Sequence, residues 1–364
     1  MLDQVVTPTD RDLASATESL LKALVTAAPA GCDVAGIVPA GGTADARTDS
    51  ALDGLAEVWG APVRRRELAA AWVAGAMLGG AGGMIHSPTL MAPLVRHDRA
   101  HNHAQTVVTV WSLEPWTAPE RLHRGTVAWQ KAMLRRATRF ADAVVVPTHA
   151  MAAQLGEITS LRDRVRVIAG AAPTGFAPPT DAPGRLRTLG LPERYVVALG
   201  RDTDSEGLTP ALRAAAGVAV DVVVIADERD EAMRIIDLAQ AAGISERRAR
   251  VVTAAEAPDR AAVLAGALAV VSASTTSAFP WRALEALAVG APLIAVRTAQ
   301  NEELLADGAH FTAVGDADGI AEALQRVFDD SGFAKRLRVL SADRSHAFSW
   351  RDAAERVWQL HADL

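Results

Sequence analysis

The chain has 364 residues, half of them hydrophobic and 22% charged, with a formal net charge of −6 and one cysteine, Cys32. That composition excludes an intrinsically disordered chain, a disulfide framework and a cysteine metal cluster, and the acidic balance argues against a protein that coats nucleic acid. The length calls for two domains rather than one core. No apolar run approaches the roughly 20 residues that cross a bilayer. Met1-Leu2-Asp3-Gln4 shows no basic stretch ahead of an apolar one, so a cytoplasmic location is expected. Lysine occurs only at 22, 131 and 335; with abundant Ala and Gly, that arginine bias fits a GC-rich bacterial genome.

In chain order, residues 11–28 read as a helix, 33–38 as a strand and 82–86 as a shorter strand. Strand 106–110, a helix over 127–141 and strand 143–146 follow. Residues 172–184 hold four prolines and two glycines, the best linker in the chain. The pattern then restarts, with strands over 195–199, 220–225, 251–252, 268–271 and 293–296 separated by helical stretches. Uninterrupted apolar runs of this kind mark buried parallel strands, and their alternation with helices predicts an α/β protein. The expected architecture is two doubly wound, Rossmann-like parallel-sheet domains facing a ligand cleft. Boundaries are placed at 1–175 for the first domain, 176–184 for the linker, 185–345 for the second domain and 346–364 for a C-terminal helix.

The most informative stretch is residues 272–294. A strand runs into a small-residue loop, Pro280 opens a helix, and Gly290 closes it ahead of another strand. The start of that helix offers free N–H groups and the positive end of its dipole, a seat for a diphosphate. Glu285 lies about one turn inside, where its carboxylate could accept bonds from ribose hydroxyls.

This segment resembles the signature of retaining family-4 glycosyltransferases of the GT-B fold, here of an actinobacterial type. In that pattern two glutamates eight positions apart flank a Gly-Phe-Gly loop, followed by Leu-Glu-Ala-(Met/Leu)-Ala-x-Gly-x-Pro. Glu285 takes the second glutamate position, Ser277 stands in the first, Phe279 matches, and Pro280 replaces the second glycine. The resemblance extends over nearly the whole chain. Residues 85–88 fit a short strand and turn, and residues 109–116 fit Thr-Val-His-Asp-x-x-Pro with Trp111 for the histidine and Ser112 for the aspartate. Residues 140–148 fit Ala-Asp-x-Val-(Val/Ile)-x-Pro-Ser, and Gly200-Arg201 fits the start of the donor-phosphate site. Residues 348–350 open a last helix like the one that returns to the family's first domain.

What the resemblance implies is a hexosyltransferase, mannosyl among the candidates, taking a nucleotide sugar as partner and handing its sugar to a glycan, lipid or small acceptor. The first domain would face the acceptor and the second would hold the nucleotide sugar. Gly200 and Arg201 would bind diphosphate, the residues Phe279, Pro280 and Trp281 would complete that seat, and Glu285 would hold ribose. Trp111 and Ser277 would stand at the catalytic positions. No cofactor and no metal are expected from the resemblance. A role in cell-envelope glycan synthesis and a homo- or heterodimer are compatible with the family.

The departures bear on chemistry. Retaining transfer stabilises a leaving diphosphate with positive charge and backbone donors, yet the family lysine position holds Glu206. Trp111 offers a ring to stack on a sugar but no imidazole, and Ser277 offers no carboxylate. The family's Gly-rich N-terminal loop is replaced by Thr7-Pro8-Thr9-Asp10-Arg11-Asp12. An alternative is therefore a catalytically inactive glycosyltransferase-fold partner or regulator of an active paralogue. A sugar-nucleotide epimerase shares the architecture but has no motif of its own here. The histidines at 97, 101 and 103 read as a solvated loop rather than a metal site. The span 121–139, with Arg121, Arg124, Lys131, Arg135, Arg136 and Arg139, reads as an amphipathic helix; a peripheral contact with an anionic membrane is the functional alternative to a solvent-facing one.

Overall fold

The computed structural model describes residues 1–41, 52–78, 83–98, 104–201, 206–226, 229–253 and 256–364. The chain divides into two compact units: Met1–Ala171 with Ser277–Phe279 and Ser349–Leu364, and Ala172–Thr276 with Pro280–Phe348.

In the first unit, β1 (Ala35–Val38) pairs with β2 (Glu57–Gly60), and a second sheet runs β3 (Met84–Ser87), β4 (Gln105–Thr109), β5 (Ala143–Val146) and β6 (Val165–Val167), all parallel. The first two residues lie between the sheets: Leu2 N–H donates to Ile37 O at 2.9 Å and the Met1 amine to His86 O at 3.0 Å. Valines at every position of β5 but the first are buried, as a strand covered on both faces requires. Helix Arg11–Thr26 starts where the Asp10 carboxylate accepts from the N–H groups of Asp12 and Leu13, a side-chain cap for its unpaired donors. Trp72, Met91, Leu94, Leu113 and Met133 fill the core with no exposed surface. The C-terminal helix Trp350–Asp363, capped by Ser349, lies on helix Arg11–Thr26, with Trp358 Nε1 donating to Leu24 O at 3.1 Å.

The second unit is a six-stranded parallel sheet in the order β12-β11-β10-β7-β8-β9. Its strands are β7 (Tyr195–Leu199), β8 (Asp221–Ala226), β9 (Ala249–Thr253), β10 (Val270–Ser272), β11 (Leu293–Val296) and β12 (Ala309–Thr312). Short residues dominate the contact of helix Leu208–Gly217 with the sheet, where Ala211, Ala214 and Ala215 are buried. Phe333 and Leu337 of helix Ser331–Ser345 close the same core. Each unit is a Rossmann-like α/β domain of parallel strands, and the second has the doubly wound Rossmann strand order, which reverses between β7 and β10.

β2 and β12 are strands that the periodicity passed over. Glu57-Val58-Trp59-Gly60 is too short and too mixed to register as an apolar run, and Ala309-His310-Phe311-Thr312 has polar residues on both sides of one aromatic. Their backbones are strands because β1 and β11 offer parallel edges to pair with.

Candidate functional site

In an open α/β sheet the ligand crevice lies beyond the carboxyl ends of the strands where the order reverses. Here that point falls between β7 and β10. Beyond β7 come Gly200 and Arg201, and beyond β10 come residues 273–276. Gly207, which opens helix Leu208–Gly217, has φ 74°, and a Cβ there would stand 2.0 Å from the carbonyl oxygen of Ala273. A Cβ on Gly200 would stand 2.4 Å from Glu206 O. The two loops therefore meet backbone to backbone, and only glycine permits that approach. Arg201 is exposed at this point, and Glu206 is half-buried just ahead of Gly207.

Glu285 sits in helix Trp281–Ala288 and is 1% exposed. Burial of a bare carboxylate is costly, and two guanidiniums meet the need. Arg260 donates from Nη2 to Oε1 at 2.6 Å and from Nε to Oε2 at 3.2 Å, while Arg282 donates from Nη1 to Oε1 at 3.0 Å. Arg260 comes from helix Ala257–Gly266 and also lies 5.8 Å from the Phe176 ring centre. Arg282, at i−3 to Glu285 on the same helix, was legible in the sequence as a helical pair. Arg260, 25 positions away, carried no such signal.

Ser277 and Phe279 are held within the first unit. Leu113 N–H donates to Ser277 O at 2.9 Å, Phe279 N–H donates to Trp111 O at 2.8 Å, and Ser112 and Ala278 form an antiparallel bridge between them. This pairing bears on the phosphate seat expected at residues 279–281. The Phe279 amide is engaged by Trp111, and Pro280 has no N–H to give. Trp281 is the first residue of the helix and Pro280 its N-cap.

Trp111 is 8% exposed, and its indole N–H donates to Pro88 O at 2.8 Å. Its ring lies 5.4 Å from that of Phe279 and 6.4 Å from that of Trp350, tilted in both cases, the offset geometry that aromatic quadrupoles favour. The side chain in the family histidine position is thus built into an aromatic cluster.

Elsewhere in the first unit, Asp142 is buried and ties two elements to its strand. It accepts from Thr106 N–H at 2.6 Å and contacts His97 Nε2 at 2.8 Å, so His97 is fixed by a carboxylate, whereas residues 99–103 lie outside the described residues. Among the described residues no group of three His, Cys, Asp or Glu side chains is placed to hold a metal ion. His361 Nδ1 meets Gln105 Oε1 at 2.8 Å, and its ring stands edge-on to His86 at 5.7 Å. Burial pushes His361 down to about 4, and burial followed by the neighbouring His361 holds His86 well below its usual range. Both rings border a cavity of about 240 Å³ beside Trp59 and Trp358, lined in part by Ile85, His86 and Pro88 but by none of Trp111, Gly200, Arg201, Ser277 and Glu285. In helix Arg124–Phe140 the Arg124, Arg135 and Arg139 side chains are exposed, but Arg136 turns inward, donating from Nη2 to Leu94 O at 2.6 Å. Among the described residues no helix is long and apolar enough to cross a membrane.

Residues 16–174 match the family described as Glycosyltransferase Family 4, and residues 188–342 match Glycosyl transferases group 1. Among curated proteins none is matched by sequence. Solved structures with the same fold include sucrose-phosphate synthase from Thermosynechococcus elongatus, at 21% identity and a TM-score of 0.69, covering 94% of this chain and 91% of that one. HepE of Anabaena, solved with UDP-glucose, has 18% identity and a TM-score of 0.70 over 95% of this chain and 96% of its own. A glycosyltransferase from Rickettsia africae has 13% identity and a TM-score of 0.65 over 96% and 94%. The chain therefore joins a Glycosyltransferase Family 4 domain to a Glycosyl transferases group 1 domain, with the two Rossmann-like domains of the GT-B fold.

Proposed function

We propose that this protein transfers a hexosyl unit from a nucleoside-diphosphate sugar to an acceptor hydroxyl with retention of configuration, and that the second unit holds the donor. The observation that carries this reading is the backbone-to-backbone meeting of the Gly200–Gly207 loop and the loop after β10, at the point where the strand order reverses. Bare peptide groups at that position suit a diphosphate, with Arg201 exposed beside them to balance its charge. Glu285 would accept from the ribose. In the transfer, the bond between the anomeric carbon and the diphosphate oxygen breaks and its electron pair leaves with the nucleotide. The acceptor oxygen forms the new bond on the same face, and its proton passes to the departing diphosphate. The structures of HepE with UDP and with UDP-glucose support a uridine nucleotide as the first donor to try.

One observation favours a second reading, a fold partner without catalysis. Trp111 is enclosed by Phe279, Trp350 and Pro88, where a transferase of this family would present a histidine to the sugar. Calorimetric titration with UDP, GDP and their hexose conjugates, beside Arg201→Ala, separates the two. Binding that disappears in the variant supports the donor reading, and transfer of a labelled hexose to water or an added acceptor supports catalysis. A folded protein that binds none of these nucleotides overturns it in favour of the partner reading.

A further inference from the structure

We infer that Arg260 and Arg282 act as positioning residues that ration the acceptor sites of Glu285, so that its carboxylate reads one ribose hydroxyl of the donor rather than two. The inference rests on the donor reading above and adds to it which hydroxyls are recognised.

A carboxylate offers about four lone-pair sites, two on each oxygen. Oε1 of Glu285 already receives Arg260 Nη2 at 2.6 Å and Arg282 Nη1 at 3.0 Å, which accounts for both of its sites. Oε2 receives Arg260 Nε at 3.2 Å and keeps one site. Arg260 bridges both oxygens, so the plane of the carboxylate is set by a side chain from a different helix, itself backed by the Phe176 ring. The side chains of Arg260 and Arg282 are 12% and 19% exposed while that of Glu285 is 1% exposed, so the cluster reaches the surface through its arginines. A ribose pair of neighbouring hydroxyls meeting an unencumbered carboxylate would use one oxygen each. Here Oε1 has no site to give, and a single hydroxyl on Oε2 completes the set.

The test is calorimetry with uridine, guanosine and adenosine diphosphates and their 2′-deoxy and 3′-deoxy forms. For the wild type, one deoxy form should bind about tenfold more weakly than the parent, the scale of one hydrogen bond to a charged group, and the other within about twofold. Arg282→Met returns one site on Oε1 and Arg260→Met returns one site on each oxygen; in each, the second deoxy form should weaken as well, so the difference between the two analogues shrinks. A loss of packing alone would weaken all three nucleotides together and leave that difference intact. If Arg260→Met does not fold, Arg282→Met decides the matter, because it removes only one of the contacts. Equal losses for both deoxy forms in the wild type, or an unchanged difference in the variants, overturn this inference and leave the donor reading standing. A folded wild type that binds no diphosphate at all overturns both.

Discussion

The meeting of the two loops at the β7–β10 switch point can be tested at Gly207, with Gly31 as its control. Both have the left-handed backbone, φ 74° and 82°, so alanine at either should cost about 1 kcal/mol in strain. The surroundings differ. Nothing lies within 4 Å of a Cβ at position 31, whereas at 207 it would stand 2.0 Å from Ala273 O and 2.1 Å from Ala273 C. Ordinary contact begins at 3.4 Å, so the loops must part by about 1.4 Å. Overpacking of this kind adds about 1–3 kcal/mol. Gly207→Ala should therefore cost about 2–4 kcal/mol against about 1 kcal/mol for Gly31→Ala. Urea unfolding followed by far-ultraviolet circular dichroism is the suitable assay, because Trp281 is the one tryptophan of the second unit and fluorescence would report mainly on the first. Equal costs at the two glycines would refute the close approach and, with it, the backbone seat proposed for the diphosphate.

Removing Trp111 to alanine should cost about 3–5 kcal/mol, as for large buried aromatics, while Trp111→Phe loses chiefly the bond to Pro88 O, about 1 kcal/mol. Thermal melts of both variants check this, and a Trp111→Ala protein as stable as the parent would remove the aromatic cluster from the account. Glu285→Ala removes the buried carboxylate on which the partly exposed Arg260 and Arg282 converge and should destabilise by about 1–3 kcal/mol, the scale of hydrogen bonds to a charged group, which urea unfolding will read directly. His361 has a folded value of about 4, below its unfolded value near 6.5, so the native state resists the proton that the unfolded state takes up. Its contribution is complete above pH 6.5 and is lost as pH falls from 6.5 to about 4, amounting to about 2 kcal/mol by pH 5. His361→Gln should flatten that part of the stability profile measured by urea midpoints at pH 7 and pH 5; an unchanged slope would show that the ring does not titrate as its burial implies.

Much of the fold was legible because buried parallel strands leave a signal that needs no partner to be read. The valine-rich runs at 143–146 and 195–199 are apolar throughout, as is 220–225 apart from Asp221, and a strand covered on both faces has few other ways to be written. Helix ends were legible for a similar reason: Asp10, Ser349 and Thr148 cap the N–H groups just ahead of them in the chain. The site was legible only in outline. Residues 272–294 mark a loop and a helix that the family uses, and Glu285 stands in that helix, but the residues that surround its carboxylate come from elsewhere.

The sequence by itself determined what depends on neighbours a few positions apart: the alternation of strands and helices, the caps, the i−3 partner of Glu285 and the absence of side chains at Gly200 and Gly207. Tertiary structure decided what depends on contacts across the chain. It brought Arg260 to Glu285 and Phe279 and Trp350 to Trp111, and it engaged the Phe279 amide with Trp111 O. A charge or a ring in a linear pattern shows what it can do, whereas whether that capacity is already taken is settled by the group that folding places against it, through the cost of leaving a buried donor, acceptor or charge without a partner.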